Sequence, residues 1–195
     1  MLFASIEGTI TLIVILAVVA LIVFWVIGVY NTLVSLRNKV RNGWSQIDVQ
    51  LKRRFDLIPN LVETVKGYAT HEKDIWEQFG KARGLYQQAA QTGDVAKAAE
   101  AEKGLAGALS RLMVVSEAYP ELKANENFKE MMVQLKDTED KIMFNRQFYN
   151  DTAMGYNNKI EMFPGNIVAK LFKFEIAKFF EITAEAEREA VKVKF

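Results

Sequence analysis

The feature that most restricts what this chain can become is the run ITLIVILAVVALIVFWVIGV, Ile10 to Val29, twenty consecutive residues without a charge. As a helix rising 1.5 Å per residue it covers about 30 Å, the thickness of a hydrocarbon core. A buried core helix rarely runs so long without a polar face, and a cleaved signal peptide needs a basic start and a small-residue cleavage site, which this run lacks. The run therefore predicts one transmembrane helix over 10–29, preceded by a short tail, 1–9. Trp25 and Tyr30 stand near its end, where amphipathic rings favour the membrane interface, although a Trp one turn inside the run would equally suit packing against another chain. Glu7 is the only charged side chain before the run, and Arg37, Lys39 and Arg41 follow it. The positive-inside rule then puts a short N-terminus outside and the remainder in the cytoplasm.

Beyond Tyr30 the chain has helical spacing almost throughout. Tyr30, Leu33, Arg37, Val40, Trp44, Ile47, Leu51, Phe55 and Ile58 follow one another in steps of three or four, with Arg37 the one charged member, which lays one stripe along a helix. Pro59 either kinks that helix or opens a new one. The stripe resumes at Leu61 or Val62 and passes through Val65, Tyr68, Glu72, Ile75, Phe79, Ala82 and Tyr86 to Ala89, so the first rod is expected to end near Ala90, before Gly93 and Asp94. A shorter Ala-rich helix should follow Asp94 and stop at Pro120, with Gly104 and Gly107 permitting a close neighbour. Asn125 or Asn127 can cap the next helix, in which Phe128, Met131, Leu135, Thr138, Ile142, Asn145, Tyr149, Thr152 and Tyr156 keep a period of 3.5, the spacing of left-handed, coiled-coil-like packing. It should end at Phe163-Pro164-Gly165. A last helix is expected over NIVAKLFKFEIAKFFEI, with Phe172, Phe174, Phe179 and Phe180 as candidate contacts to the membrane or to a second subunit, or else covering the end of its own bundle. The fold class is all-α: a single N-terminal transmembrane helix continuing into an antiparallel bundle of about four or five long helices over 30–190, then an extended tail, 191–195.

The chemistry on offer is sparse. The chain has no cysteine and one histidine, His71, which removes thiol nucleophiles, thiolate metal sites and His-rich zinc sites. No phosphate-binding glycine loop and no GxSxG is present, and the carboxylates show no pattern that converges them in pairs. The net charge of +1, from 25 basic and 24 acidic residues, provides no summed field for nucleic acid. No catalytic residue, cofactor or metal site is expected. The polar residues that crowd the first rod, Asp48, Arg53, Arg54, Asp56 and Glu63, together with Asn145 and Tyr149 on the later helix, form either a buried network or a partner surface. In the network reading, Asp48 or Glu63 pairs with Arg53 or Arg54 to set the register between rods. Tyr149-Asn150 and Tyr156-Asn157, seven apart, put two phenols on one face, most simply as packed rings with satisfied hydroxyls.

The run WSQIDVQLKRRFDLIPNLVETVKGYATHE from Trp44, with YNTLVSLRNKV upstream, closely resembles the LemA family of bacterial membrane proteins, as do ENFKEMMVQLKDTEDKI from Glu126 and YNNKIEMFPGNIVAKLF from Tyr156. The similarity covers nearly everything from Tyr30 onward. The chain departs from the family pattern at Gly43 and Phe55, where alanine is common, at Lys173, where a glycine often precedes the phenylalanine, and at Lys192, where proline is usual. The resemblance implies a single N-terminal span, a long antiparallel helical bundle and no established enzymatic activity. The expected role is a non-enzymatic membrane scaffold, in contact with lipids and self-associated as a homo-oligomer. The alternative is an adaptor for a membrane protease, sensor or transporter, docking through the polar cluster.

Overall fold

A computed structural model describes residues 2–68 and 72–181, with side chains from residue 8. His71 and the tail expected at 191–195 lie outside the described residues. All regular structure among the described residues is helical: α1 (Leu2–Lys66), α2 (Lys73–Thr92), α3 (Val95–Ser116), α4 (Pro120–Ala124), α5 (Glu126–Glu161) and α6 (Gly165–Leu171). The chain divides into two compact units, residues 1–41 with 152–177 and residues 42–151 with 178–195, so α1 and α5 each contribute to both.

In the first unit α1 contains the apolar run. Its large side chains from Ile10 to Phe24 are exposed all round, as in a helix built for lipid and not for a protein core. One face of the helix becomes buried only from Leu33.

In the second unit the stripe read from the sequence is the core. Ile47, Leu51, Phe55, Ile58, Leu61 and Val65 of α1 are buried, as are Ile75, Phe79, Ala82, Tyr86 and Ala89 of α2 and Phe128, Met131, Leu135, Thr138, Ile142 and Tyr149 of α5. Gly43 meets Tyr149, Gln46 meets Asn145 and Arg54 meets Glu139, a descending pairing that makes α1 and α5 antiparallel here. Helices α2 and α3 form a hairpin. Gly93 takes the left-handed conformation at φ 67° that ends α2, and the Asp94 carboxylate accepts from the N–H groups of Ala96 and Lys97 to open α3. Gly104 packs on Ala82, where an added Cβ would lie 3.5 Å away, whereas Gly107 faces open space. Asn125 caps α5 by accepting from the Phe128 N–H at 3.0 Å.

The helix boundaries differ from expectation in three places. Helix α1 runs through Pro59 and stops at Lys66, well short of Ala90, where Gly67 supplies a weak helix former and the Tyr68 N–H turns to Val65 at 2.9 Å. The buried stripe continues across that break, which is why periodicity alone misses it. Pro120 does not terminate the Ala-rich helix; it stands at the first turn of the short α4, where a missing N–H costs nothing. The final segment is helical only over Gly165–Leu171. Lys173 then adopts φ 55°, and the Phe174 N–H bonds to Ala169 at 2.9 Å in a Schellman-type ending, after which residues 174–181 have no helix. The break and α4 together raise the expected four or five helices to six among the described residues.

Candidate functional site

The polar centre of the second unit is built on Arg54. Its side chain, 1% exposed, leaves α1 between Leu51 and Ile58 and pairs with Glu102 of α3, itself nearly buried, and at 3.3 Å with the exposed Glu139 of α5. A buried ion pair seldom adds much net stability, because desolvation offsets attraction, and here one guanidinium joins side chains of three helices. Desolvation pushes the Glu102 carboxyl above its ordinary range, and this outweighs the lowering by Arg54. The Arg54 Nε and the Glu102 Oε2 have no hydrogen-bond partner among the described residues. Arg54 also floors an open cleft of about 590 Å³ between α3 and α5, walled by Leu109, Met113, Met132 and Val133.

These partners are not the ones read from the sequence. Asp48 and Glu63 lie six and nine residues from Arg54 on the same helix, roughly 120° and 180° around it, so neither can reach. Asp48 is occupied by Tyr86, whose hydroxyl donates to its carboxylate at 3.3 Å while the ring stacks on Phe55 at 4.5 Å. Burial, and then the Asp48 charge, raise the Tyr86 phenol well above its usual range. Arg53, Asp56 and Glu63 are exposed on α1, away from the Arg54 centre. Glu102, absent from the sequence-based candidates, sits among buried Ala98, Ala99, Ala101 and Leu105, and a carboxylate in such a stripe was the available signal.

Tyr149 and Asn150 work on backbone. The Tyr149 hydroxyl donates to the Lys178 carbonyl at 2.7 Å, and burial raises its phenol. The Asn150 amide grips Phe180 twice, accepting from its N–H at 2.9 Å and donating to its carbonyl at 3.1 Å. Phe180 is fully buried beside Trp44, whose ring lies 6.0 Å away. Asn145 makes a longer bond, 3.4 Å, to the Gln46 carbonyl. In the first unit Asn157 holds Ala177 in the same two-bonded manner, at 2.8 and 2.9 Å. Thus the repeated Tyr-Asn pair marks two amide clamps on an extended segment, and the asparagines carry the role that the sequence left unassigned.

The four phenylalanines fall into different settings. Phe172 and Phe174 pack on Tyr30 at 4.8 and 5.7 Å, with the Arg37 guanidinium 5.1 Å from the Phe174 ring. Phe180 is core, and Phe179 is partly exposed beside Ala96 and Lys103 of α3. Among the described residues no group of three or more His, Asp or Glu is placed to hold a metal ion.

Fold and site together define a helical-bundle protein with an apolar N-terminal helix of membrane-spanning length and a buried Arg54–Glu102 pair. The model of the LemA family matches residues 43–195, and the chain belongs to that family. It is 29% identical over 175 residues to the magnetosome protein MamQ 2 of Paramagnetospirillum magneticum, covering 78% of this chain and 64% of that protein. It is 27% identical to magnetosome protein MamQ of Magnetospirillum gryphiswaldense, covering 77% and 64%. The match to protein LemA of Metamycoplasma hominis is 28% identical over 162 residues, covering 80% and 71%. The chain thus spans just under two thirds of the length of the magnetosome relatives. None of these names states an enzymatic activity.

Proposed function

We propose that this protein is a non-enzymatic scaffold, anchored by residues 10–29 in the bacterial inner membrane and self-associated through its bundle as a homo-oligomer that organises or shapes a membrane patch. The observation that carries this reading is the change of character within α1: exposed apolar side chains on every side up to Phe24, then a one-sided buried stripe from Leu33. Exposed Val133 and Phe144 on α5 add apolar surface that the bundle leaves uncovered, a property of interaction faces. The buried polar groups support a structural role, since Arg54 is neutralised by two carboxylates and the Tyr149 phenol is bound to backbone. Arg37, Lys39 and Arg41 support a cytoplasmic bundle. Mass measurement of the full-length chain in mild detergent over a wide concentration range tests the assembly. A defined oligomer is expected, and a monomer at every concentration discards it.

The second reading is an adaptor for a membrane protein, favoured by exposed Arg53, Asp56 and Glu63 on α1 and by the open cleft beside Met113 and Val133. Affinity capture from native membranes separates the two, because a scaffold returns mainly itself.

A further inference from the structure

We propose that the outer face of α6, with Phe163 in the turn before it, is a second membrane contact, in which Phe163, Ile167 and Leu171 enter the boundary between headgroups and acyl chains while Lys170 and Lys173 meet anionic headgroups. This rests on the reading of residues 10–29 as a membrane span.

Depth comes first. Tyr30 is the residue immediately after the apolar run, and the rings of Phe172 and Phe174 lie 4.8 and 5.7 Å from its ring. A helix ending at Leu171 is therefore held at the level where the span leaves the hydrocarbon. The attachment is firm: the Schellman-type ending at Lys173, the Arg37 guanidinium over Phe174 and the Asn157 clamp on Ala177 fix the segment on both sides of the Phe172–Phe174 contact.

Orientation comes next. Val168 and Ala169 are buried inward, while Ile167 and Leu171, four residues apart on α6, are 55% and 69% exposed, and Phe163 in the turn before the helix is 80% exposed. Large side chains concentrated on one side of a short helix at this depth suit an interfacial element that immerses its apolar face.

Charge selects the occupant. Residues 30–41 and 152–177 hold six basic side chains, Arg37, Lys39, Arg41, Lys159, Lys170 and Lys173, against two acidic ones, Glu161 and Glu175, whereas the whole chain nets only +1. A second copy docking by the same face would bring like charges together, and an anionic lipid surface brings the opposite sign.

The cysteine-free chain allows the test on the full-length protein. Single spin labels at I167C and L171C, with V18C as the reference in the span and V114C as the reference on an exposed bundle side chain, are compared in vesicles of pure phosphatidylcholine and of phosphatidylcholine with phosphatidylglycerol. Labels at 167 and 171 should be open to oxygen and shielded from a water-soluble nickel relaxant, at a depth of roughly 5–10 Å. The shielding should be stronger in the anionic vesicles, and K170E/K173E should remove that lipid dependence. If V18C is in lipid but 167 and 171 are as nickel-accessible as 114, the α6 contact is overturned and the anchor stands. If 167 and 171 are shielded from both relaxants, a second subunit covers the face, which also overturns the proposal. If V18C itself reports water, the anchor and this contact fail together.

Discussion

Replacing Arg54 by methionine should deepen a pH-dependent cost that the buried Glu102 already carries. In the parent protein the guanidinium compensates Glu102, which is already displaced upward from 4.5 by burial. Without Arg54 the Glu102 carboxylate keeps only the more distant charge of Arg146 to offset Glu139 and its own burial, so the folded state must hold it protonated. Keeping a proton on a group of ordinary pKa 4.5 costs about 1.4 kcal/mol per pH unit, which gives about 5 kcal/mol at pH 8 and about 1.4 kcal/mol at pH 5.5. The first figure agrees with the roughly 3–5 kcal/mol found when one partner of a buried pair is removed. Because the folded-state pKa is raised, the carboxyl favours folding below about 4.5 and this contribution is lost as pH rises, so R54M must be worse in base than in acid. At about 2–4 °C per kcal/mol, thermal unfolding of the full-length chain in mild detergent should fall by up to roughly 10–20 °C at pH 8 and by no more than roughly 3–6 °C at pH 5.5, the part that the parent already bears being subtracted from both. Adding E102L should recover most of the loss, since an apolar replacement of a buried pair is often neutral or better. An R54M protein that melts within about 3 °C of the parent at pH 8, or a loss independent of pH, refutes the reasoning.

The other expectations concern backbone and core. G43A should stabilise by about 0.5–1 kcal/mol, because the new methyl would meet Tyr149 at an ordinary 3.5 Å while removing a helix-interior glycine; a lower denaturant midpoint contradicts it. G165A should destabilise by about 1–3 kcal/mol, since its Cβ would stand 2.6 Å from the Lys159 carbonyl oxygen, and an unchanged melting curve would show that the close approach is absent. K173G should raise the denaturant midpoint by about 0.5–1 kcal/mol equivalent, because φ 55° suits glycine better than lysine; a destabilised variant would count against the left-handed ending. F180A should cost about 3–5 kcal/mol and speed hydrogen exchange at residues 178–180, whereas unaltered exchange would place Phe180 outside the core.

Most of the helices were legible because burial on one side leaves a period that can be counted, as in the stripe from Phe128 to Tyr149. The same property concealed the break at Gly67, since a stripe that remains buried on both sides of a turn keeps its spacing. Apolar spacing likewise suggested a helix through Phe180, but that pattern cannot register competition for the backbone. Asn150 and Asn157 take the N–H and C=O groups of Phe180 and Ala177 that a helix would have used internally. Arg54 was visible only as one of several polar residues crowding the first rod, and its partners depend on which helices face it, since Glu102 and Glu139 lie 48 and 85 residues away in sequence. Glycine departures were the informative ones: Gly43 stands where a methyl is accommodated, and Lys173 stands at a left-handed position that glycine would occupy more comfortably.

The most direct measurement is alkaline carbonate extraction of membranes containing the full-length chain, with the pellet and supernatant quantified. A helix exposed on every side from Ile10 to Phe24 predicts that the protein stays with the lipid pellet. Release of the intact chain into the supernatant would mean that these residues are covered by protein and not by acyl chains, and would contradict the anchored scaffold.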